Sequence, residues 1–206
     1  MRVAVVGGTG AFGKALAMRL KEAGYEVVVG SRDAERAAVV ADELGVEGLT
    51  NDEAARSAEL VILATNADGT LATAQQLREA IGETPVLCVA SELNFRQLGV
   101  YPCTDELSLA ERVQNAVRAP VAAGLHSLAA RSLGGDEPPD EDALVCGDDD
   151  TAKQLALELA GRITRGRAVD TGPLASARAL EGLTAVIVNV NKLYRTHAGI
   201  TLTGLP

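Results

Sequence analysis

Apolar residues fall in short continuous runs, separated by stretches where they recur every three or four positions. Arg2–Val6, built on Val3-Ala4-Val5-Val6 and followed by glycines, predicts a buried strand. Ala11–Ala23 carries Leu16, Leu20 and Ala23 at helical spacing, with Gly24 as its stop. Glu26–Val29 reads as a second strand and Ala34–Leu44 as a second helix ending near Gly45. Leu60–Ala64 and Val86–Ala90 read as further buried strands around a helix at Leu71–Ile81. Residues 91–106, with Phe95 and Tyr101, read as a less regular stretch. Beyond them the pattern predicts a helix at Leu107–Val117, a strand at Pro120–Leu125, an acidic loop at Gly134–Asp142 and a short strand at Leu144–Cys146. A helix follows at Thr151–Gly161, then a last strand at Ala168–Val169, then a long helix over 173–194 with Pro173 in its first turn. Strands alternating with helices predict an α/β fold with a doubly wound, mostly parallel sheet and a small C-terminal helical appendage. The length of 206 residues fits one domain, 1–206, ending in a C-terminal helix and tail at 173–206.

The last helix is apolar around much of its circumference (Leu174, Leu180, Leu183, Val186, Ile187, Val190) and needs cover on several sides. A second copy of the chain supplies that cover, so a homodimer contact is expected at 173–206. Composition removes several function classes. The chain is 47% hydrophobic, which excludes a disordered protein. A net charge of -9 argues against nucleic-acid and anionic-membrane partners, and no apolar run approaches the roughly 18 residues that span a bilayer. A strand starting at residue 2 leaves no room for a signal peptide. Cys88, Cys103 and Cys146 are odd in number and widely spaced, neither a disulfide framework nor a zinc pattern, as expected of a reducing cytoplasm. Cys146 reads as a small buried hydrophobe. Asp148, Asp149 and Asp150 read as carboxylates capping the following helix rather than metal ligands, and no metal site is expected.

Candidate chemistry begins at residues 7–13, GGTGAFG. Gly8-x-Gly10-x-x-Gly13 between a strand and a helix is the spacing of a Rossmann dinucleotide-binding turn. Gly8 permits the tight turn, Gly10 leaves room for a pyrophosphate at the helix N-terminus, and Gly13 lets the helix approach the sheet. Thr9, Ala11 and Phe12 complete the expected cofactor-binding turn. A site selecting NAD carries Asp or Glu at the end of the second strand to hold the ribose hydroxyls. Here the chain reads Gly30-Ser31-Arg32, with Arg36 one turn on. A hydroxyl and two forked cations fit a 2′-phosphate, so NADP(H) is the expected cofactor.

Several blocks together resemble the F420:NADP oxidoreductases, NADPH-dependent reductases of the deazaflavin coenzyme F420. They are MRVAVVGGTGAFGKALAMRL, VVVGSRDAERA, GLHSLAAR at 124–131, LVCGDDD at 144–150 and DTGPLASARALEGLTAVIVNVN at 170–191. The resemblance implies hydride transfer between the nicotinamide C4 and the deazaflavin C5, with coenzyme F420 as co-substrate. It implies phosphate contacts from Thr9, Ser31, Arg32 and Arg36, and it places His126 at the deazaflavin pocket as the candidate catalytic residue. The chain departs from the family after its third buried strand, where Thr65-Asn66-Ala67-Asp68 replaces a proline and an aromatic residue. Thr65 and Asn66 are the expected contacts on the nicotinamide side. Two other readings stay open: an NADPH-dependent reductase of another acceptor, such as a flavin or ferric chelate, and a non-catalytic NADP(H) sensor.

Overall fold

The computed structural model describes residues 1–205. In chain order the elements are β1 (Arg2–Val6), α1 (Ala11–Glu22), β2 (Glu26–Ser31), α2 (Ala34–Leu44), β3 (Glu47–Thr50), α3 (Asn51–Ser57), β4 (Leu60–Leu63), α4 (Ala67–Gln76), α5 (Arg78–Ile81), β5 (Val86–Cys88), β6 (Leu93–Arg96), β7 (Gly99–Pro102), α6 (Leu109–Ala116), β8 (Val121–Gly124), α7 (Ala130–Leu133), β9 (Ala143–Gly147), α8 (Asp150–Ile163), β10 (Ala168–Asp170) and α9 (Ala177–Tyr194). Eight strands form one sheet in the order β10-β9-β8-β5-β4-β1-β2-β3, and β6 and β7 form a separate two-stranded ribbon. Every neighbouring pair in the large sheet is parallel except β8 and β9. This is the expected doubly wound, Rossmann-type sheet, extended by three strands beyond β5.

The strands are apolar throughout because both faces of the sheet are covered. Alternation sends Val3, Val5, Leu60, Ile62 and Leu87 to one face, against Leu16 and Leu20 of α1 and Leu159 and Ile163 of α8. Val61, Leu63, Val86 and Cys88 meet the other face, with Ala74 of α4, Val113 of α6 and Leu180 of α9. Asp142 ties the tail to this body. Its carboxylate is buried, pairs with Arg167 at 2.7 Å and accepts from the Leu202 N–H at 2.7 Å. The hydrogen bond from Arg167 holds the Asp142 carboxyl far below the usual carboxylate range.

Four expectations about elements need correction. The less regular stretch 91–106 holds the β6–β7 ribbon, whose outward Phe95 and Leu98 broke the apolar pattern. β3 and α3 were not foreseen. The helix expected at Leu71–Ile81 begins earlier, at Ala67, and breaks at Leu77 into α4 and α5. The last α-helix starts at Ala177, because Pro173 is extended (φ -70, ψ 162) and Leu174–Ser176 form a tight 3-10 turn. Of the three aspartates, Asp149 caps α8 by accepting from Ala152 N at 2.8 Å. Asp148 instead accepts from Leu174 N at 2.9 Å, so it holds the start of the final helical segment.

Candidate functional site

The sheet order reverses around β1, since β2 and β3 lie on one side and β4 and β5 on the other. In such a sheet a crevice opens beyond the carboxyl ends of the two central strands. The glycine-rich turn lies there. Gly7 takes φ 82, and the Gly7 and Gly8 N–H groups both donate to Gly30 O at 3.1 Å, clamping the turn to the end of β2. A Cβ on Gly8 would stand 2.8 Å from Val5 O, and one on Gly13 would stand 2.6 Å from Gly7 O. Both contacts are shorter than real side chains make, so these glycines are required by the protein's own backbone. Gly10 differs. Its Cβ would meet nothing nearer than Gly7 O at 3.4 Å, so the fold itself leaves open space there. Gly10 is also the N-cap of the twelve-residue α1, and it supplies no side-chain cap. The exposed start of a helix with free N–H groups and no competing carboxylate fits an anion. Thr9 is half-buried beside it, Ala11 is exposed, and Phe12 packs its ring against the core.

At the end of β2, Ser31 is buried and its Oγ accepts from Asp33 N at 3.2 Å, leaving the hydroxyl proton free to donate. Asp33 is spent on capping α2, accepting from Arg36 N at 3.1 Å. Arg32 and Arg36 are exposed and form no ion pair among the described residues. The set fits a phosphomonoester: one hydroxyl donor and two unpartnered guanidinium groups, with the nearest carboxylate occupied. Across the crevice, Thr65 sits against Gly7, since a Cβ there would lie 2.8 Å from Thr65 Cγ2. The Thr65 hydroxyl is 2.9 Å from that of buried Thr70. Asn66 is the N-cap of α4 but makes no capping bond with its side chain, which leaves its amide exposed at the crevice.

His126 follows β8 at a left-handed corner, Leu125 having φ 65. The residue is 4% exposed, and neither ring nitrogen has a hydrogen-bond partner. Burial lowers its pKa to about 4, against a smaller opposing pull from the Ala90 backbone, so the imidazole is neutral at physiological pH. Its carbonyl accepts from Thr184 Oγ1 of α9 at 2.9 Å, and Thr184 Oγ1 is 2.8 Å from Ser91 Oγ beyond β5. The structure therefore groups His126, Ser91 and Thr184 at the carboxyl end of the sheet, on the β8 side. Sequence reasoning found only the first of the three, because the other two are small hydroxyl residues brought there by the long connection to α9.

Glu181, a further buried acid on α9, also escaped sequence reading. Ala110 N donates to it at 3.4 Å across the start of α6, and burial pushes its carboxyl up to about 7. Cys146 is fully buried and its thiol is pushed up to about 12 by burial, as expected of a packing residue. Glu92, Cys103 and Asp105 bring ligand-type atoms within 4.8 Å of one another. Arg112 already occupies that cluster, paired with Glu92 and 3.4 Å from Asp105, so a guanidinium supplies the positive charge.

Comparison with known proteins bears on this geometry. A family model for coenzyme F420-dependent NADP oxidoreductases matches residues 2–91. An F420-dependent NADP reductase of Methanothermobacter thermautotrophicus is 35% identical over all of this chain and 96% of its own. One of Methanothermobacter marburgensis is 37% identical with both chains fully covered. The chain belongs to the F420-dependent NADP reductase family. Members of this family are oxidoreductases by name, and the likeness runs past residue 91 through His126 and α9. Among solved structures, a candidate F420-dependent NADP reductase of Arthrobacter sp. FB24 superposes with a TM-score of 0.86 over 98% of this chain and 99% of that one. At 24% identity it establishes the shared fold. The NADP-bound pyrroline carboxylate reductase of Plasmodium falciparum shares the fold more loosely, with a TM-score of 0.63, 11% identity, and 95% and 64% coverage.

Proposed function

We propose that this chain transfers a hydride between NADP(H) and the deazaflavin coenzyme F420. The observation that carries the reading is the pairing of an open, uncapped Gly10–α1 terminus with the free Ser31, Arg32 and Arg36 donors, in a chain related end to end to F420-dependent NADP reductases. The Gly8–Gly13 backbone and Thr9 hold the pyrophosphate, and Ala11 and Phe12 carry the N–H groups that follow it. Ser31, Arg32 and Arg36 hold the 2′-phosphate. Thr65 and Asn66 border the nicotinamide, where the Asn66 amide takes a ribose hydroxyl or the carboxamide. With both bound, hydride would pass from C4 of NADPH to C5 of the deazaflavin, and one proton from solvent would complete the two-electron reduction. No nucleophile or metal is required of the protein, whose work is to place two flat rings in contact and exclude water. His126 is neutral and its ring nitrogens are buried without a partner, so in this reading a shift of the ring toward the deazaflavin pocket would let its N–H donate to a deazaflavin oxygen without losing another bond.

The working unit in this reading is a homodimer of one-domain chains residing in the cytoplasm, joined through 173–206. Leu174, Leu180 and Ile187 are buried within the chain, whereas Val186, Leu193 and Tyr194 stay exposed on α9. No helix among the described residues is long and apolar enough to cross a membrane. Sedimentation at micromolar concentration giving only a 21.3 kDa species would end the dimer reading.

The deciding experiment is an anaerobic assay with NADPH and oxidised coenzyme F420, using NADH and FMN as controls. Bleaching of the deazaflavin band with NADPH and little with NADH is expected. Tight NADPH binding without bleaching refutes the reaction and leaves a sensor or a different acceptor.

A further inference from the structure

Asn51 follows β3 directly, and β3 runs parallel to β2 with Thr50 beside Ser31. The residue therefore stands at the carboxyl edge of the sheet, next to the strand end that carries Ser31 and Arg32. It is 8% exposed, and its Oδ1 is buried without a hydrogen-bond partner. A polar atom sealed from water and left unpaired costs free energy, so it calls for a reason. Helix capping does not supply one. Thr50 already caps α3, its hydroxyl accepting from Glu53 N at 3.3 Å while the Glu53 carboxylate accepts from Thr50 N at 3.1 Å.

Gly30 marks where the amide lies. This glycine has no positive φ, so its conformation does not demand glycine. A Cβ there would stand 2.9 Å from Asn51 Oδ1 and 3.4 Å from both Ala54 Cβ and Val5 O, so a bare backbone keeps the space clear for the amide. The Gly30 carbonyl accepts from the Gly7 and Gly8 N–H groups, and Ser31 is its neighbour in the chain. Gly30 thus joins the phosphate turn to the Ser31 donor, and Asn51 lies against it. In NADP(H) the adenosine ribose is bonded at 5′ to the pyrophosphate and at 2′ to the extra phosphate. With one anion at Gly10 and the other at Ser31, Arg32 and Arg36, the ribose spans Gly30. Its remaining hydroxyl, at 3′, is a donor in need of an acceptor. The terminal torsion of an asparagine is soft, so a turn of the amide brings Oδ1 to that hydroxyl, and Oδ1 breaks no hydrogen bond in turning.

We propose that Asn51 binds the adenosine ribose of NADP(H), its carboxamide oxygen accepting from the 3′-hydroxyl. The inference rests on the NADP(H) half of the functional reading above and is independent of the deazaflavin half. It divides the end of β2 between two tasks. Arg32 and Arg36 tell NADP(H) from NAD(H), whereas Asn51 serves the sugar that both cofactors share.

The test is calorimetry with 2′,5′-ADP and its 3′-deoxy analogue on wild type, Asn51→Ala and Asn51→Asp. Neither ligand turns over, so the readout does not depend on activity, and a thermal melt checks that each variant is folded. Wild type is expected to bind 2′,5′-ADP roughly tenfold more tightly than the 3′-deoxy analogue, the worth of one hydrogen bond to a buried group. Asn51→Ala is expected to bind the two alike. Asn51→Asp keeps an acceptor and is expected to keep the preference, while its charge beside a phosphate weakens both ligands together. An amide that only fills space leaves the preference the same in all three proteins. Equal binding of the two ligands by wild type overturns the proposal and leaves the cofactor reading standing. A preference kept in Asn51→Ala, or lost in Asn51→Asp, does the same. Binding of neither ligand to wild type removes the NADP(H) reading and the proposal with it. The expected pattern in a protein that reduces no deazaflavin removes that acceptor and keeps the role of Asn51.

Discussion

Replacing His126 with Gln tests the neutral, buried imidazole directly. In the folded chain its pKa is about 4, and in the unfolded chain it returns to 6.5. Between those values the unfolded state binds the proton and the folded state does not, so this group makes stability fall as pH drops from 6.5 to 4. At pH 5 the two pKa values give a loss of about 2 kcal/mol relative to pH 7.5, from 1.36 kcal/mol per unit. Glu181 works in the other direction. Its carboxyl, raised from 4.5 to about 7, keeps its proton in the folded state while the unfolded chain loses it. Stability from that group therefore falls as pH rises from 4.5 to 7, again by about 2 kcal/mol between pH 5 and 7.5. The two nearly cancel in the native chain, and single variants separate them. Urea unfolding followed by far-UV circular dichroism at pH 5 and 7.5 is the assay, since the chain has no tryptophan to report. On going from pH 7.5 to 5, the stability of His126→Gln relative to wild type is expected to rise by about 2 kcal/mol. That of Glu181→Gln is expected to fall by a similar amount. Whatever each substitution costs in packing is common to both pH values and drops out. A relative stability of His126→Gln that stays constant between the two pH values would refute the claim that burial holds this ring neutral.

The glycines of the turn separate by their surroundings. Gly10→Ala introduces a methyl that meets no protein atom closer than 3.4 Å, so its melting temperature should stay near that of wild type while NADPH affinity drops. Gly13→Ala puts a methyl 2.6 Å from Gly7 O and should lose both stability and binding, as read by thermal melts and calorimetry. The Arg32→Ala/Arg36→Ala variant should lose NADPH affinity far more than NADH affinity. Charged hydrogen bonds are worth about 1.5–3 kcal/mol each, and the exposure of both side chains puts the expected loss at the lower end. Equal losses for the two cofactors in a fluorescence titration would remove the arginines from the 2′-phosphate.

Legibility followed how local each physical demand is. The strands β1, β4 and β5 were readable because burial on both faces requires unbroken apolar runs. The turn was readable because Gly8 and Gly13 answer to backbone atoms within eight residues of them. β3 and α3 gave little apolar signal: Glu47–Thr50 carries one leucine, and Asn51–Ser57 buries mainly small alanines. Their local signature was the Thr50-x-x-Glu53 capping box, in which each side chain bonds the other's backbone N–H. Residue identity singled out Ser31, Arg32 and Arg36 as candidate donors. It did not reveal that Asp33 is occupied by capping, a fact that decides whether the nearby charge is free to meet an anion.

The β8 side of the crevice is legible only in three dimensions, and the reason lies in α9. Its pattern of apolar residues was correctly read as needing cover on several sides, yet the same helix also carries Glu181, Thr184, Asn189 and Asn191. Each of these makes a contact more than fifty residues away or closes the turn after the helix. A period of 3.6 reports which residues share a face, but it does not report where along the axis the sheet stops covering that face. Ala185 and Ile187 are still buried past Thr184, whereas Lys192, Leu193 and Tyr194 are exposed. Residues of this helix therefore pass from core packing, through the Thr184 bond to the His126 carbonyl, to an exposed end. This division along a single helix ties the C-terminal segment to the body of the fold through Glu181, Thr184 and Asn189, so it is more than an appendage to the sheet.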